Sequence, residues 1–453
     1  MYARHSKRLS TPGGLRAFPG SREYESQNAA AFDFDPTEID AVVLTHAHID
    51  HSGRIPLLVK RGFSGPVYTH EATKDLAEVM LADAGFLAER QAAWENRKRD
   101  RNKHGRGHQA EDLIEPLFDR QDAADAHRQF EGMAYDQPAE VLPGFVVTLR
   151  DAGHILGSAI VELVVTEGER QKKVVFSGDL GHRGAPILRE PSVVRQADLV
   201  VLESTYGDRC HRTWEDTWEE MGEILAGSEA EKGNILIPAF TVGRTQELLM
   251  MFNEHFDDWG LGSWEVFLDS PMAAKATKIY EKHWQLQDKE TRALGRSGPV
   301  FDLPNLHVSE SVEDSIGINR IRSGAIIIAG SGMCTGGRIR HHLRHNIQRS
   351  GNKILIVGFQ ARGTTGRMLV DGAERIRMFG EEHTVKATVH TVGGLSAHAD
   401  QQGLLDWYGN FDGHPAVKLI HGEEDAMGVL RSILKQRYSC DVSIADREES
   451  LTL

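Results

Sequence analysis

The sequence predicts a layered α/β protein of two or three domains, one of them built on parallel strands. Three observations carry this expectation. The chain has 453 residues, more than one ordinary core accommodates. Its apolar runs are short and alternate with charged stretches of helical spacing, which is the rhythm of stacked sheets and helices. Between about 206 and 365 the rhythm becomes a repeated unit, in which a short apolar run leads into a small-residue or glycine turn and then a helical segment.

In chain order, Ala41-Val-Val-Leu44 reads as a strand that runs into a loop ending at Gly53. A helix is expected from near Arg54, a strand near Pro66 to Thr69, and helices through the Ala-, Glu-, Arg- and Gln-rich stretch from about 72 to 130. A strand pair follows, around Gly144 to Leu149 and Ala159 to Val165. Asn234 to Pro238, Trp264 to Leu268, Gly324 to Ala329 and Lys353 to Val357 are continuous apolar runs, as strands buried on both faces are. A last strand is expected at Ala416 to Ile420. No repeat of solenoid period is evident.

Composition narrows the class. A 40% hydrophobic and 26% charged chain is that of a soluble globular protein. No apolar stretch approaches the ~20 residues of a membrane span. Arg4, Lys7 and Arg8 precede no apolar segment, unlike a secretory signal. Cys210, Cys334 and Cys440 are odd in number and far apart, which fits a reducing cytoplasm and excludes a disulfide framework or a thiolate zinc site. A net charge of −14 argues against duplex binding over the whole surface. A local basic channel remains open, with Arg97-Lys-Arg-Asp-Arg-Asn-Lys103 and Arg106 as one candidate and a solvated helix end as its alternative.

The chemistry concentrates in Thr45-His-Ala-His-Ile-Asp-His-Ser-Gly53. His46, His48, Asp50 and His51 fall within six positions, and imidazole and carboxylate are the usual ligands of a hydrolytic zinc ion. If the preceding strand continues, His46 and His48 share a face. Asp50 and His51 then lie on the following turn, in reach of a second ion. Asp151-Ala-Gly-His-Ile-Leu-Gly-Ser158 offers His154, whose flanking glycines permit close backbone approach to a metal or phosphate. Val174-Val-Phe-Ser-Gly-Asp179 offers a strand-end carboxylate that could bridge two ions.

His-x-His-x-Asp-His with these later ligands resembles the metallo-β-lactamase superfamily. Val200-Val-Leu-Glu-Ser-Thr-Tyr-Gly207, Pro238-Ala-Phe-Thr-Val-Gly-Arg-Thr-Gln246, Leu268-Asp-Ser-Pro-Met272, Gly330-Ser-Gly-Met-Cys-Thr-Gly-Gly-Arg338 and Gly394-Leu-Ser-Ala-His-Ala-Asp400 resemble its β-CASP branch. That branch processes RNA and DNA and includes ribonuclease J and the archaeal and eukaryotic pre-mRNA 3′-end endonucleases. The likeness runs from about Leu15 to the C-terminus and is greatest to single-chain bacterial and archaeal nucleases.

The resemblance implies an αββα sandwich interrupted by an inserted α/β domain of mostly parallel strands. The expected boundaries are 1–203 and 369–453 for the discontinuous first domain and 204–368 for the insertion. It implies two zinc ions per chain, one held by His46, His48 and His154, the other by Asp50, His51 and His398, with Asp179 bridging. A hydroxide between the ions would attack a phosphodiester. Glu203 would fix a ligand imidazole, and His398 is also a secondary candidate for general acid. The family's second β-CASP motif places a His where this chain has Arg367 and Met368, so His390 is a possible substitute or a sheet histidine. Ser331, Gly332 and the glycines after them could cradle a phosphate through backbone N–H groups. Arg244, Arg338 and Arg362 follow strand ends and could grip phosphates.

The function so implied is hydrolysis of single-stranded RNA, endonucleolytic and open to 5′ exonuclease action, in the cytoplasm, with DNA a weaker candidate and homodimers open. Two other classes stand beside it. A thioester or lactone hydrolase could use the same ligands without the insertion. An RNA-binding paralogue without catalysis would be expected to have lost ligands. The chain also departs from the family at its start. Gly14 to Arg22 resembles the segment after an Asp-x-Gly turn that is absent here, so Met1 to Gly13 is expected to be poorly ordered and the first sheet to have an exposed edge.

Overall fold

The computed structural model describes residues 2–3, 8–10, 28–102, 113–228, 230, 232–296, 298–446 and 450–452. Two sheets stack to form the first domain. One runs in the order Ser450–Thr452, Arg8–Ser10, Tyr2–Ala3, Ala41–Val43, Val67–His70, Phe130–Met133. The other runs Val442–Ile444, Ala416–Leu419, Leu199–Leu202, Arg170–Phe176, Ala159–Glu167, Phe145–Asp151, Ala139–Leu142. Val43 and Met133 of the first sheet pack with Val147, Leu163 and Val174 of the second, and this is the inter-sheet core. Helices Glu71–Asn102 and Arg120–His127 cover the outer face of the first sheet through Leu76, Leu81 and Ala126. Helices Gln401–Tyr408 and Glu424–Tyr438 cover the second through Leu404, Tyr408, Leu430 and Leu434. The order helix, sheet, sheet, helix is the expected sandwich.

The inserted domain is a six-stranded sheet in the order Leu306–Val308, Glu265–Leu268, Ala325–Ala329, Ile235–Pro238, Lys353–Ile356, Thr388–Thr391, with every pair parallel. The four continuous apolar runs of the sequence are its inner strands. Ile235, Ile237, Ile326, Ile328 and Leu355 point to one core and Leu236, Ile354 and Ile356 to another, as helices on both faces require. The chain leaves the first domain after Leu199–Leu202 and returns to pair Ala416–Leu419 beside that same strand in parallel. One apolar cluster runs from Leu58, Leu76 and Leu81 through Ile155 to Leu248, Tyr280 and Phe301, so the two domains share a core.

Four expectations need correction. The first sheet does not end at Ala41–Val43. Tyr2–Ala3 pairs antiparallel with that strand, Arg8–Ser10 with Tyr2–Ala3, and Ser450–Thr452 with Arg8–Ser10. Two- and three-residue strands held by backbone hydrogen bonds leave no apolar alternation in the sequence to find. The rest of Met1 to Gly13 lies outside the described residues. Strand Ala41–Val43 stops before His46 and His48, which stand on the loop beyond it. Ala416–Leu419 is followed by the helix Glu424–Tyr438 and a further strand, Val442–Ile444. Finally, Thr388–Thr391 completes the inserted sheet, so that sheet extends past residue 368.

Candidate metal centre

The site lies where the two sheets of the first domain meet. Leu44 N–H bonds Tyr68 of the first sheet, and Thr45 C=O accepts from Ala159 of the second at 2.8 Å. The chain then turns through His46 and His48 into the short helix Ile49–Ser52, whose Ser52 hydroxyl donates to Ala47 C=O at 2.9 Å. Asp179 and His154 arrive on loops that touch. A Cβ on Gly181 would sit 1.9 Å from Gly153 O, so Gly181 is needed for the two loops to approach. The glycines beside His154 thus serve backbone packing against protein.

Around the Asp179 carboxylate the imidazoles converge. Its Oδ2 is 3.2 Å from His51 Nε2, 3.5 Å from His46 Nε2 and 3.5 Å from His421 Nε2. His154 Nε2 lies at 3.8 Å and His398 Nδ1 at 4.0 Å. Two ring-nitrogen pairs approach at 3.1 Å, His48 Nδ1 with His154 Nε2 and His51 Nε2 with His421 Nε2. Asp50 Oδ2 is 3.5 Å from both His51 Nε2 and His421 Nε2. Outer contacts orient the rings, with His154 Nδ1 against Ala397 C=O at 3.0 Å and His421 Nδ1 against the Thr205 hydroxyl at 2.9 Å.

The donor set fits cations. His46 Nε2 is buried and has no hydrogen-bond partner, a costly arrangement unless something else takes its lone pair. Burial, and then the neighbouring imidazoles, push His46 and His154 well below the usual histidine range. Burial would raise Asp179, yet His421, His51 and His46 hold it well below the usual carboxylate range. Burial opposes Asp50 in the same way, and His51 and His421 outweigh it. His46 and His154 held neutral, beside ionised Asp179 and Asp50, are in the protonation states that metal ligands need.

Among the expected ligands, the structure brings together His46, His48, Asp50, His51, His154 and Asp179. His398 stands with Asp179, Glu203 and His421 in a further group able to hold a cation, its Nδ1 4.0 Å from Asp179 Oδ2. His421 takes the place beside Asp50 and His51. The His398 ring also meets Glu203, with Nδ1 at 3.2 and 3.3 Å from its two oxygens. Glu203 is fully buried and also accepts from Leu180 N–H at 2.6 Å. Burial would lower His398, but the charge and hydrogen bond of Glu203, with Asp179 and Asp50, raise it to about 9. His421 had a signal in the sequence. It follows the apolar strand Ala416–Leu419 and precedes a glycine, much as His46 follows Ala41–Val43.

The arginines fare differently. Arg244 is buried and ion-paired with the buried Glu247, so it is committed beneath the surface and is no phosphate grip. Arg338 is held by Asp269 at 2.6 Å, and Asp269 is also bound by His342 at 2.6 Å and Ser315 at 2.6 Å. Arg362 is exposed. Ser331 Oγ accepts from the N–H groups of Thr335 at 3.2 Å and Gly336 at 3.3 Å, and its C=O accepts from Cys334, so the loop satisfies part of its own cradle. Gly332 admits the Phe240 ring, which a Cβ there would meet at 2.8 Å. His390 stands in the inserted sheet opposite Leu355, with Lys353 and Glu220 as its charged neighbours, away from the imidazole cluster. Arg97 and Lys98 are exposed near the end of Glu71–Asn102, and Lys103 to Arg106 lie outside the described residues. Sequence reasoning also missed Phe240 and Phe359, exposed by 38% and 41% after strands Ile235–Pro238 and Lys353–Ile356. Phe359 stands 6.4 Å from the ring of Tyr206, which is itself 6.3 Å from His398.

A sandwich with six histidines and three carboxylates clustered at the meeting edge of its sheets defines a metal-dependent hydrolase. The Metallo-beta-lactamase superfamily matches residues 17–224, the Beta-Casp domain 245–369, and the Zn-dependent metallo-hydrolase RNA specificity domain 382–445. Ribonuclease TTHA0252 of Thermus thermophilus is 38% identical over 97% of this chain and 95% of its own. Transcription termination factor FttA of Methanococcus maripaludis is 30% identical over 86% of this chain but 59% of its own, and that of Methanocaldococcus jannaschii 29% over 90% and 63%. The chain belongs to the β-CASP branch of the metallo-β-lactamase superfamily. Its cofactor is a metal. No described helix is long and apolar enough to cross a membrane.

Proposed function

We propose that the protein is a ribonuclease that cleaves single-stranded RNA with two zinc ions. The observation that carries this is the convergence of five imidazole nitrogens on Asp179 Oδ2 within 4.0 Å, one of them, His46 Nε2, buried without a partner. His46, His48 and His154 would hold one ion and Asp50, His51 and His421 the other, with Asp179 between them. Metal held by these residues would supply the acidification of a water needed for hydrolysis at neutral pH.

The chain's own groups do the rest. Glu203 holds His398 through Nδ1 and keeps it protonated, so its remaining Nε2–H can be given to the departing 3′-oxygen. Thr205 and Ala397 hold the His421 and His154 rings in one tautomer each. Phe240 and Phe359 offer exposed aromatic faces for unstacked bases, which favours a single strand over a duplex. Arg362 would contact a phosphate. The free cysteines suit a reducing cytoplasm. The test is end-labelled single-stranded RNA with zinc-loaded protein and its Asp179→Ala variant. Wild type should cut and the variant should bind without cutting, while cleavage by both would defeat the reading.

A further inference from the structure

From Ser315 to Val370 the chain carries nine Arg and Lys residues and no Asp or Glu, inside a protein of net charge −14. This segment holds the glycine-rich loop, the helix Ile339–Asn346 and the arm bearing Arg362. The helix shows two arginines one turn apart, Arg340 and Arg344. Beside them the hairpin Arg375–Met378 and Glu381–Thr384 ends in the two-residue turn Phe379-Gly380. The Arg340 guanidinium lies 4.7 Å from the centre of the Phe379 ring, that of Arg344 5.7 Å, and the His341 ring 4.7 Å.

Phe379 is an unusual tenant of that turn. Both central residues have positive φ, 52° at Phe379 and 85° at Gly380. Such turns favour Asn or Asp before Gly, and a bulky residue there is strained. The ring is nonetheless 43% exposed, so burial does not account for its presence. An exposed aromatic ring flanked by guanidinium groups is the surface on which single-stranded nucleic acids are held, by stacking and phosphate contact together. Arg344 also reaches Glu381 at 3.0 Å, but that pair is exposed and of the kind that exchanges readily.

We infer that Phe379, Arg340 and Arg344 form an RNA-holding platform separate from the metal site, one base stacking on the ring and flanking phosphates meeting the arginines. The inference rests on the ribonuclease reading above. The platform is joined through the chain itself to the glycine-rich loop. Helix Ile339–Asn346 begins where the glycine-rich loop ends, and that loop is tied to the Arg362 arm by Gln360 to Gly332 C=O at 2.9 Å and Gly366 N–H to Met333 C=O at 3.1 Å. An RNA long enough to reach both the metal site and the platform would therefore be gripped at two places, and the enzyme would favour long over short substrates.

The test compares Phe379→Asn, Phe379→Trp and the double variant Arg340→Gln/Arg344→Gln, each in the full chain. Affinity is read by fluorescence anisotropy for long polyuridylate and for a short oligouridylate that only the metal site can hold, with Asp179→Ala present so that nothing is cut. Phe379→Asn suits the turn better, so it should fold at least as stably and yet bind the long RNA about 5- to 100-fold more weakly. Phe379→Trp should keep the affinity. The double variant should flatten the salt dependence by about 1.4 in log–log slope, two phosphates at ~0.7 each. Short-RNA affinity should not move, nor should its cleavage when the same variants carry Asp179. Unchanged long-RNA affinity and slope in Phe379→Asn and the double variant would overturn the platform. So would sedimentation showing that they lose only self-association, which would make the surface a contact between copies. A wild type that binds but never cuts would instead strike the ribonuclease reading, leaving the affinity comparison intact.

Discussion

The strand-end loops of the first domain and those of the insertion look alike in sequence, each an apolar run leading to glycine and a charged or polar side chain, but they fold to opposite ends. In the first domain the polar groups converge and are left wanting. His46 Nε2 has no hydrogen-bond partner, and two pairs of ring nitrogens face each other at 3.1 Å. In the insertion the charges are mutually satisfied. Arg244 closes on Glu247, and Arg338, His342 and Ser315 close on Asp269. A buried polar cluster that satisfies itself holds a fold together, whereas one that does not awaits a ligand.

The sharpest way to break this comparison is to separate His421 from His398. His421→Ala should lower bound zinc from about two ions per chain to one and abolish cleavage, because it removes a donor from the cation site. His398→Ala should keep the metal and lose ~10²–10⁴-fold in rate, the usual worth of a general acid. Metal analysis beside single-turnover rates reads both. If His398→Ala lost the metal and His421→Ala kept it, the roles drawn from the geometry would be reversed.

The self-satisfied side predicts a stability effect. Arg244→Ala would leave Glu247 buried and unpaired, an arrangement that burial already pushes toward protonation. The cost should be ~3–5 kcal/mol in denaturant unfolding. Arg244→Ala/Glu247→Leu should recover most of it. A stable Arg244→Ala with weakened RNA binding would show that the arginine reaches substrate after all.

The sequence made one side of this comparison far more legible than the other. His46, His48, Asp50 and His51 declare themselves because four ligands share one loop, and local spacing survives any fold. The four inner strands of the insertion were equally plain, since strands buried on both faces must be continuously apolar. His421 escaped because it stands alone after its strand, and only the parallel pairing of Ala416–Leu419 with Leu199–Leu202 carries it to the site. Arg244 misled because an arginine after a strand looks the same whether a carboxylate lies beneath it or a phosphate above. The short strands Tyr2–Ala3 and Arg8–Ser10 escaped because backbone pairing needs no side-chain pattern.

Within the site, Glu203 is a positioning residue whose effect should show in pH as well as rate. Glu203→Gln should cost ~10–100-fold. His398 is needed protonated, and its pKa of about 9 depends on the Glu203 charge overcoming burial. Removing the charge lowers that pKa, so the alkaline limb of the rate profile should move to lower pH. Bound cations act in the same direction as burial, so the limb for wild type should fall at or below about 9. A Glu203→Gln profile that is merely lower, with its limb unmoved, would mean that Glu203 holds the Leu180 backbone and not the proton on His398.

The smallest expected effect belongs to Arg362, the one exposed member of the three arginines first considered. Arg338 and Arg367, by contrast, are paired with Asp269 and Asp371. If it meets one phosphate, Arg362→Gln should weaken RNA binding several-fold for every sequence and reduce the log–log salt slope by ~0.7. If that phosphate lies at the metal site, the loss should appear with short and long RNA alike. Phe379→Asn should affect only the long. An Arg362→Gln defect confined to long RNA would place this arginine with the platform, and a defect in neither would leave the aromatic faces of Phe240 and Phe359 to hold the strand at the metal edge.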